Sequence, residues 1–80
     1  MRLVSPSRFA HLFKEEYGKS VHQYVTELRI ARARLLLEST TMTVSEIAYE
    51  IGYQTPHHFY SIFKAITGLT PLQYRDSAPR

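Results

Sequence analysis

The sequence predicts an all-α fold of two helix-turn-helix units joined by a long linker helix, with the first unit incomplete. Three observations carry that prediction. Residues 43–67 hold two capped amphipathic helices on either side of a glycine turn, residues 21–39 run without Gly or Pro, and residues 5–24 recur fifty positions later at 55–74.

Composition sets the limits within which those helices must fold. Eighty residues without cysteine describe one small domain that depends on packing rather than on disulfides. A hydrophobic content of 44%, with six Tyr and four Phe, is enough for a core, and a charged fraction of 21% is ordinary for a folded chain. Ten Lys and Arg against seven Asp and Glu give a formal charge of +3, a modest bias that suits a polyanionic partner. No apolar run approaches the roughly 20 residues that a membrane-spanning helix needs, and the N-terminus lacks the pattern of a signal peptide. A cytoplasmic location without a membrane partner is expected.

Taken in order, residues 1–19 are read as a partial first unit whose helix covers about 6–17. Ser5 is placed to cap it, Pro6 fits its first position, Phe9, Leu12 and Phe13 share one face, and Gly18 stops it. Ser20 and Gln23 form a capping box for the linker, residues 20–39. At about 1.5 Å per residue this helix is on the order of 28 Å long. Val21, Tyr24, Val25, Leu28, Ala31 and Leu35 make one apolar face, while Ile30, Ala33 and Leu37 lie elsewhere. A helix apolar on more than one side should pack on more than one partner.

Residues 40–80 are read as a complete second unit with a short C-terminal helix. Thr43 and Glu46 form a capping box, and Val44, Ile47, Ala48 and Ile51 give the apolar stripe of the first helix. Gly52 supplies the turn, Thr55 caps the next helix, Pro56 opens it, and Phe59, Ile62, Phe63 and Ile66 form its apolar face. The last helix is expected from Pro71 to Arg75, with DSAPR as a frayed tail. The four phenylalanines are all expected in the core.

The repeat aligns Pro6 with Pro56, Phe9 with Phe59, Phe13 with Phe63, Lys14 with Lys64, Gly18 with Gly68, Gln23 with Gln73 and Tyr24 with Tyr74. Caps, core aromatics and stop glycine recur in register, so the two segments should share one structure. The helix 44–51, however, has its counterpart before Met1. The expectation is therefore a first unit cut in half, either a fragment of a longer chain or a reading frame that starts late.

SPSRFAHLFKEEYG, the stretch RIARARLLL after QYV, and SEIAYEIGYQTPHHFYSIFKAITGLTPLQYR together resemble the DNA-binding region of the AraC/XylS family of bacterial transcription regulators. That resemblance covers almost the whole chain. It implies sequence-specific binding of double-stranded DNA, with one recognition helix per unit in successive major-groove segments. Further partners that it implies are RNA polymerase, and the upstream helices or effector domain of a longer chain.

On helical geometry, Ser7, Arg8, Ala10, His11 and Lys14 lie off the apolar stripe of the first unit. The resemblance makes Ser7, Ala10 and His11 base-facing, Ala10 by no more than a thymine methyl contact, and Arg8, also counted base-facing, can reach a guanine edge or a phosphate. In the second unit His57, His58 and Ser61 take the matching places, with Tyr60 at the border. Lys14, Ser20, Arg32, Tyr60, Lys64 and Thr70 are phosphate candidates, Ser20 and Thr70 through helix N-termini. Arg29, Arg32 and Arg34 are equally readable as surface partners of Glu27 or Glu38. Paired histidines also predict tighter DNA binding on acidification toward pH 6. No cofactor and no metal site is expected, because no Cys is present and neither His57 nor His58 has a second His three or four residues away. No nucleophile, base or glycine-rich phosphate loop stands at a motif spacing, so no enzyme is expected. The competing reading is a protein-interaction or self-association module built on the uncovered apolar face of the first unit.

Overall fold

The computed structural model describes residues 6–78. Five helices follow one another: α1 (Pro6–Tyr17), α2 (Val21–Ser39), α3 (Val44–Glu50), α4 (Pro56–Thr67) and α5 (Pro71–Ser77). No strand occurs among the described residues. The cap assigned to Ser5 lies outside them.

Local chemistry fixes the boundaries. Ser20, Thr43 and Thr70 each accept the backbone N–H three residues on, at 3.1 Å, while the side chain at that position accepts the cap's own N–H. Both ends of each box therefore satisfy a donor that the helix leaves open. Thr55 caps α4 by accepting the N–H of His58, ahead of Pro56 at the first position. Gly52 ends the α3 segment at φ +101° and Gly68 ends α4 at φ +82°, left-handed values that a Cβ would strain.

One core gathers around the second unit. Ile30, Ala33 and Leu37 of α2 meet Ile47, Ala48, Ile51 and Tyr53 of the α3 segment and Phe59 and Phe63 of α4. Phe59 and Phe63 are 0% exposed. On α5, Arg75 donates to the carbonyls of Leu37 (3.1 Å) and Thr40 (3.3 Å), and the Tyr74 hydroxyl donates to Glu38 (2.6 Å). This ties the end of α2 to the second unit.

Three expectations are corrected. The face of α2 carrying Leu28 and Leu35 is exposed, at 54% and 62%, and the set that lies elsewhere, Ile30, Ala33 and Leu37, is the buried one. The reason is position: α3 and α5 pack on that side, whereas α1 meets α2 near its start, where Phe13 lies 5.3 Å from Tyr24 and Tyr17 lies 5.9 Å from it. Phe9 is not core but 53% exposed, and Phe13 is half-buried, because no described helix covers α1 as α3 covers α4. Finally, α5 continues through Asp76 and Ser77, with the Ser77 hydroxyl donating to Tyr74 O at 3.1 Å, so the first two residues of the expected frayed tail are helical.

The capping box of α3 has a pH signature. The N–H of Thr43, and then its hydroxyl, hold the Glu46 carboxyl below the usual carboxylate range. A carboxyl with a lowered folded pKa contributes stability above its unfolded pKa, and that contribution is lost as pH falls through the folded value. Glutamine fills the same place in the other two boxes, at Gln23 and Gln73. Glu46→Gln is therefore expected to keep the cap and to flatten the fall in Tm between pH 5 and 3. Thermal melts of both proteins check this, and identical acid slopes would contradict it.

Candidate nucleic-acid interface

Helix α4 has two sharply different sides. Phe59 and Phe63 anchor it in the core, and His57, His58, Tyr60, Ser61 and Lys64 are exposed on the remaining surface. The two histidines occupy the first turn, just after Thr55 and Pro56. A short helix anchored on one side and presenting its N-terminal polar residues outward is the form that a major groove accepts. Imidazole rings and a hydroxyl can both donate and accept there, which suits base edges.

The first turn of α4 is braced from behind. Tyr53 is 6% exposed, and its ring lies 5.2 Å from that of His58 at 83° and 5.7 Å from that of Phe59. The Arg29 guanidinium carbon sits 5.3 Å from the Tyr53 centroid, a cation–π contact. The Tyr53 hydroxyl is buried, with the Arg29 guanidinium as its polar neighbour. Burial pushes this phenol up, and the charge and proximity of Arg29 oppose that rise. His57 and Tyr60 line an apolar groove of about 390 Å³ with Val44, Ser45, Pro56 and Leu72.

Helix α1 presents the same kind of outward face with less behind it. Ser7, Arg8, Ala10, His11 and Lys14 are all exposed. His11 Nε2 lies 3.2 Å from the Glu15 carboxylate, so an approaching phosphate or base acceptor would meet that negative charge as well. Within α1 the apolar residues Phe9, Leu12, Phe13 and Tyr17 line an open groove of about 500 Å³.

Several phosphate candidates are already engaged. Arg32 pairs with Glu50 of α3 at 3.3 Å, neither with Glu27 nor with Glu38. Glu27 is held by Lys19 at 2.6 Å, and Glu38 by the Tyr74 hydroxyl. The Thr70 side chain is buried as a cap, its hydroxyl accepting the N–H of Gln73, whereas Ser20 is half-buried in the same role. Lys14 and Lys64 stand exposed in the last turns of α1 and α4.

Sequence reading missed Lys19, Tyr53 and Arg75, and gave Arg29 a surface role without its contact to Tyr53. Each acts across elements separated along the chain, and no local spacing announces such a contact.

Residues 3–77 match the family model described as "Helix-turn-helix domain". The chain is 40% identical over 73 residues to the xylose operon regulatory protein of Escherichia coli (strain K12), covering 91% of this chain and 19% of that protein. It superposes on the C-terminal domain of AraT, a response regulator from Geobacillus stearothermophilus, with a TM-score of 0.93 at 38% identity, covering 96% of this chain and 64% of the other. It also superposes on the DNA-binding domain of AdpA, a global transcriptional factor solved in complex with a target DNA, with a TM-score of 0.88 at 27% identity, covering 92% and 67%. The chain thus spans about a fifth of the length of the xylose regulator.

Proposed function

Because the chain belongs to the AraC-type helix-turn-helix family, we propose that it binds double-stranded DNA as the reading domain of a bacterial transcription regulator. Helix α4 enters one major groove and α1 the next along the same side of the duplex. His57, His58 and Ser61 make the base contacts of the second unit, and Ser7, Arg8, Ala10 and His11 those of the first. Lys14 and Lys64 neutralise phosphates, Ser20 presents a helix N-terminus to the backbone, and Tyr60 borders the groove wall. Arg32 joins them only by leaving Glu50. The domain acts in the cytoplasm, on the nucleoid, and alters access of RNA polymerase to the bound promoter without catalysing a reaction itself.

The observation that supports this reading most is the division of α4 between two fully buried phenylalanines and an exposed row of His57, His58, Ser61 and Lys64. Affinity in such a mode comes from phosphate neutralisation, and choice from groove contacts. Fluorescence anisotropy over a salt series tests it. Log affinity is expected to fall linearly with log salt, with a slope near −0.9 per phosphate neutralised and about −2 or steeper overall. Salt-independent binding, or none by a folded chain, contradicts the proposal.

One observation favours a second reading. Phe9 (53% exposed), Leu12 (46%) and Tyr17 (57%) form a contiguous apolar face on α1 that suits self-association. Concentration-dependent sedimentation by a chain without DNA affinity would establish it in place of the first.

A further inference from the structure

We infer that Arg29 of α2 is a positioning residue for base readout, acting through the ring of Tyr53 to hold the His58 imidazole in its reading orientation. The inference deepens the proposed function and rests on α4 being the reading helix.

Three groups from two helices, α2 and α4, meet at the ring of Tyr53 in the turn. Arg29 belongs to the linker helix, Tyr53 to the turn, and His58 and Phe59 to the first turns of α4. The guanidinium carbon lies 5.3 Å from the Tyr53 centroid, the His58 ring stands edge-on at 5.2 Å and 83°, and the Phe59 ring lies at 5.7 Å. The guanidinium also closes on the turn itself, since a Cβ added to Gly52 would sit 3.4 Å from Arg29 Nη2.

The hydroxyl of Tyr53 is buried and meets no strict hydrogen-bond geometry, with the Arg29 guanidinium its polar neighbour, so Tyr53→Phe separates what the hydroxyl does from what the ring does. A ring packed between a planar cation and an imidazole edge has little freedom. A planar guanidinium stacks on an aromatic face in a way that a flexible ammonium does not, which is why Arg rather than Lys suits this position.

His58 is the third residue of α4, in the turn that a recognition helix inserts deepest. An exposed imidazole samples several rotamers and must give them up on meeting a base. Edge contact with a fixed ring removes that freedom beforehand and narrows the directions in which the ring nitrogens point, so it sharpens preference for one base edge. His57, one position away, lines the groove shared with Pro56, Tyr60 and Leu72 and makes no ring contact with Tyr53.

The test is selection from random duplexes by wild type, His58→Ala, Arg29→Met, Tyr53→Leu and Tyr53→Phe, with folding checked by circular dichroism. Arg29→Met keeps a stem of similar length and removes the planar cation. The base-pair position whose preference His58→Ala abolishes is expected to lose about 3- to 10-fold of its discrimination in Arg29→Met and Tyr53→Leu, and to keep it in Tyr53→Phe. Positions read by His57 and Ser61 keep their preferences in all three. If Arg29→Met lowers Tm or affinity while every base preference stays as in wild type, Arg29 is structural and the inference is overturned. If His58→Ala changes no preference, His58 is not a reader, and the reading of α4 fails at that residue before the question of Arg29 arises. Should Tyr53→Leu not fold, the Arg29→Met preferences decide alone.

Discussion

Phe59→Ala is expected to leave the chain largely unfolded at moderately elevated temperature. The ring is 0% exposed, meets Phe63 at 5.6 Å edge-on and Tyr53 at 5.7 Å, and is surrounded by the only buried cluster among the described residues. Truncating a buried Phe to Ala costs roughly 3–5 kcal/mol, combining lost transfer energy with the cavity left behind. A domain of this size has only about 4–12 kcal/mol in total. The fall in Tm should then be on the order of 15 °C or more. Its repeat counterpart gives the internal control. Phe9 is 53% exposed, so Phe9→Ala should cost no more than about 1 kcal/mol. Thermal melts of the two variants side by side check both values. Equal losses would mean that α1 and α4 are buried alike, against the structure.

The double substitution His57→Ala/His58→Ala should remove sequence discrimination and leave general DNA affinity nearly intact. Both side chains are exposed in the first turn of α4, and their ring contact with the core is that of His58 with Tyr53, so stability should change only modestly. A good base contact discriminates by about 1–3 kcal/mol, and two imidazoles making weaker single bonds together should account for about 10- to 100-fold. Affinity for random duplex depends on the cations, which the substitution leaves in place, and should stay within about 2-fold at neutral pH. The ratio of preferred-site to random-duplex affinity is the quantity to measure.

The parts of this fold that can be read from sequence are those that neighbouring residues decide. Ser20 with Gln23, Thr43 with Glu46, and Thr70 with Gln73 each form a box whose partners are three residues apart, so the starts of α2, α3 and α5 are legible in the residues alone. The burial of Phe59 and Phe63 is legible too, because α4 has one apolar stripe. Helix α2 has two. Choosing between Leu28 with Leu35 and Ile30 with Leu37 requires knowing where α3 and α5 lie, and that is a matter of tertiary packing. The same limit explains Phe9, whose stripe matches that of Phe59 while its surroundings do not.

The candidate site divides along the same line. That His57, His58 and Ser61 face away from the core follows from 3.6 residues per turn. That Arg32 meets Glu50, that Arg75 holds the end of α2, and that Arg29 stacks on Tyr53 all depend on long side chains crossing between elements. Such side chains have many rotamers, and spacing along the chain does not choose among them.

Whether α4 is the reading helix is decided by selection from a random duplex library, run with the wild-type chain and with His57→Ala/His58→Ala under one salt condition. The wild type is expected to enrich a defined motif, and the double variant, folded and still bound to duplex, to enrich none of the segment facing α4. The same motif at undiminished strength from the double variant would mean that α4 does not read the bases, and the proposed mode of recognition would fail at its centre.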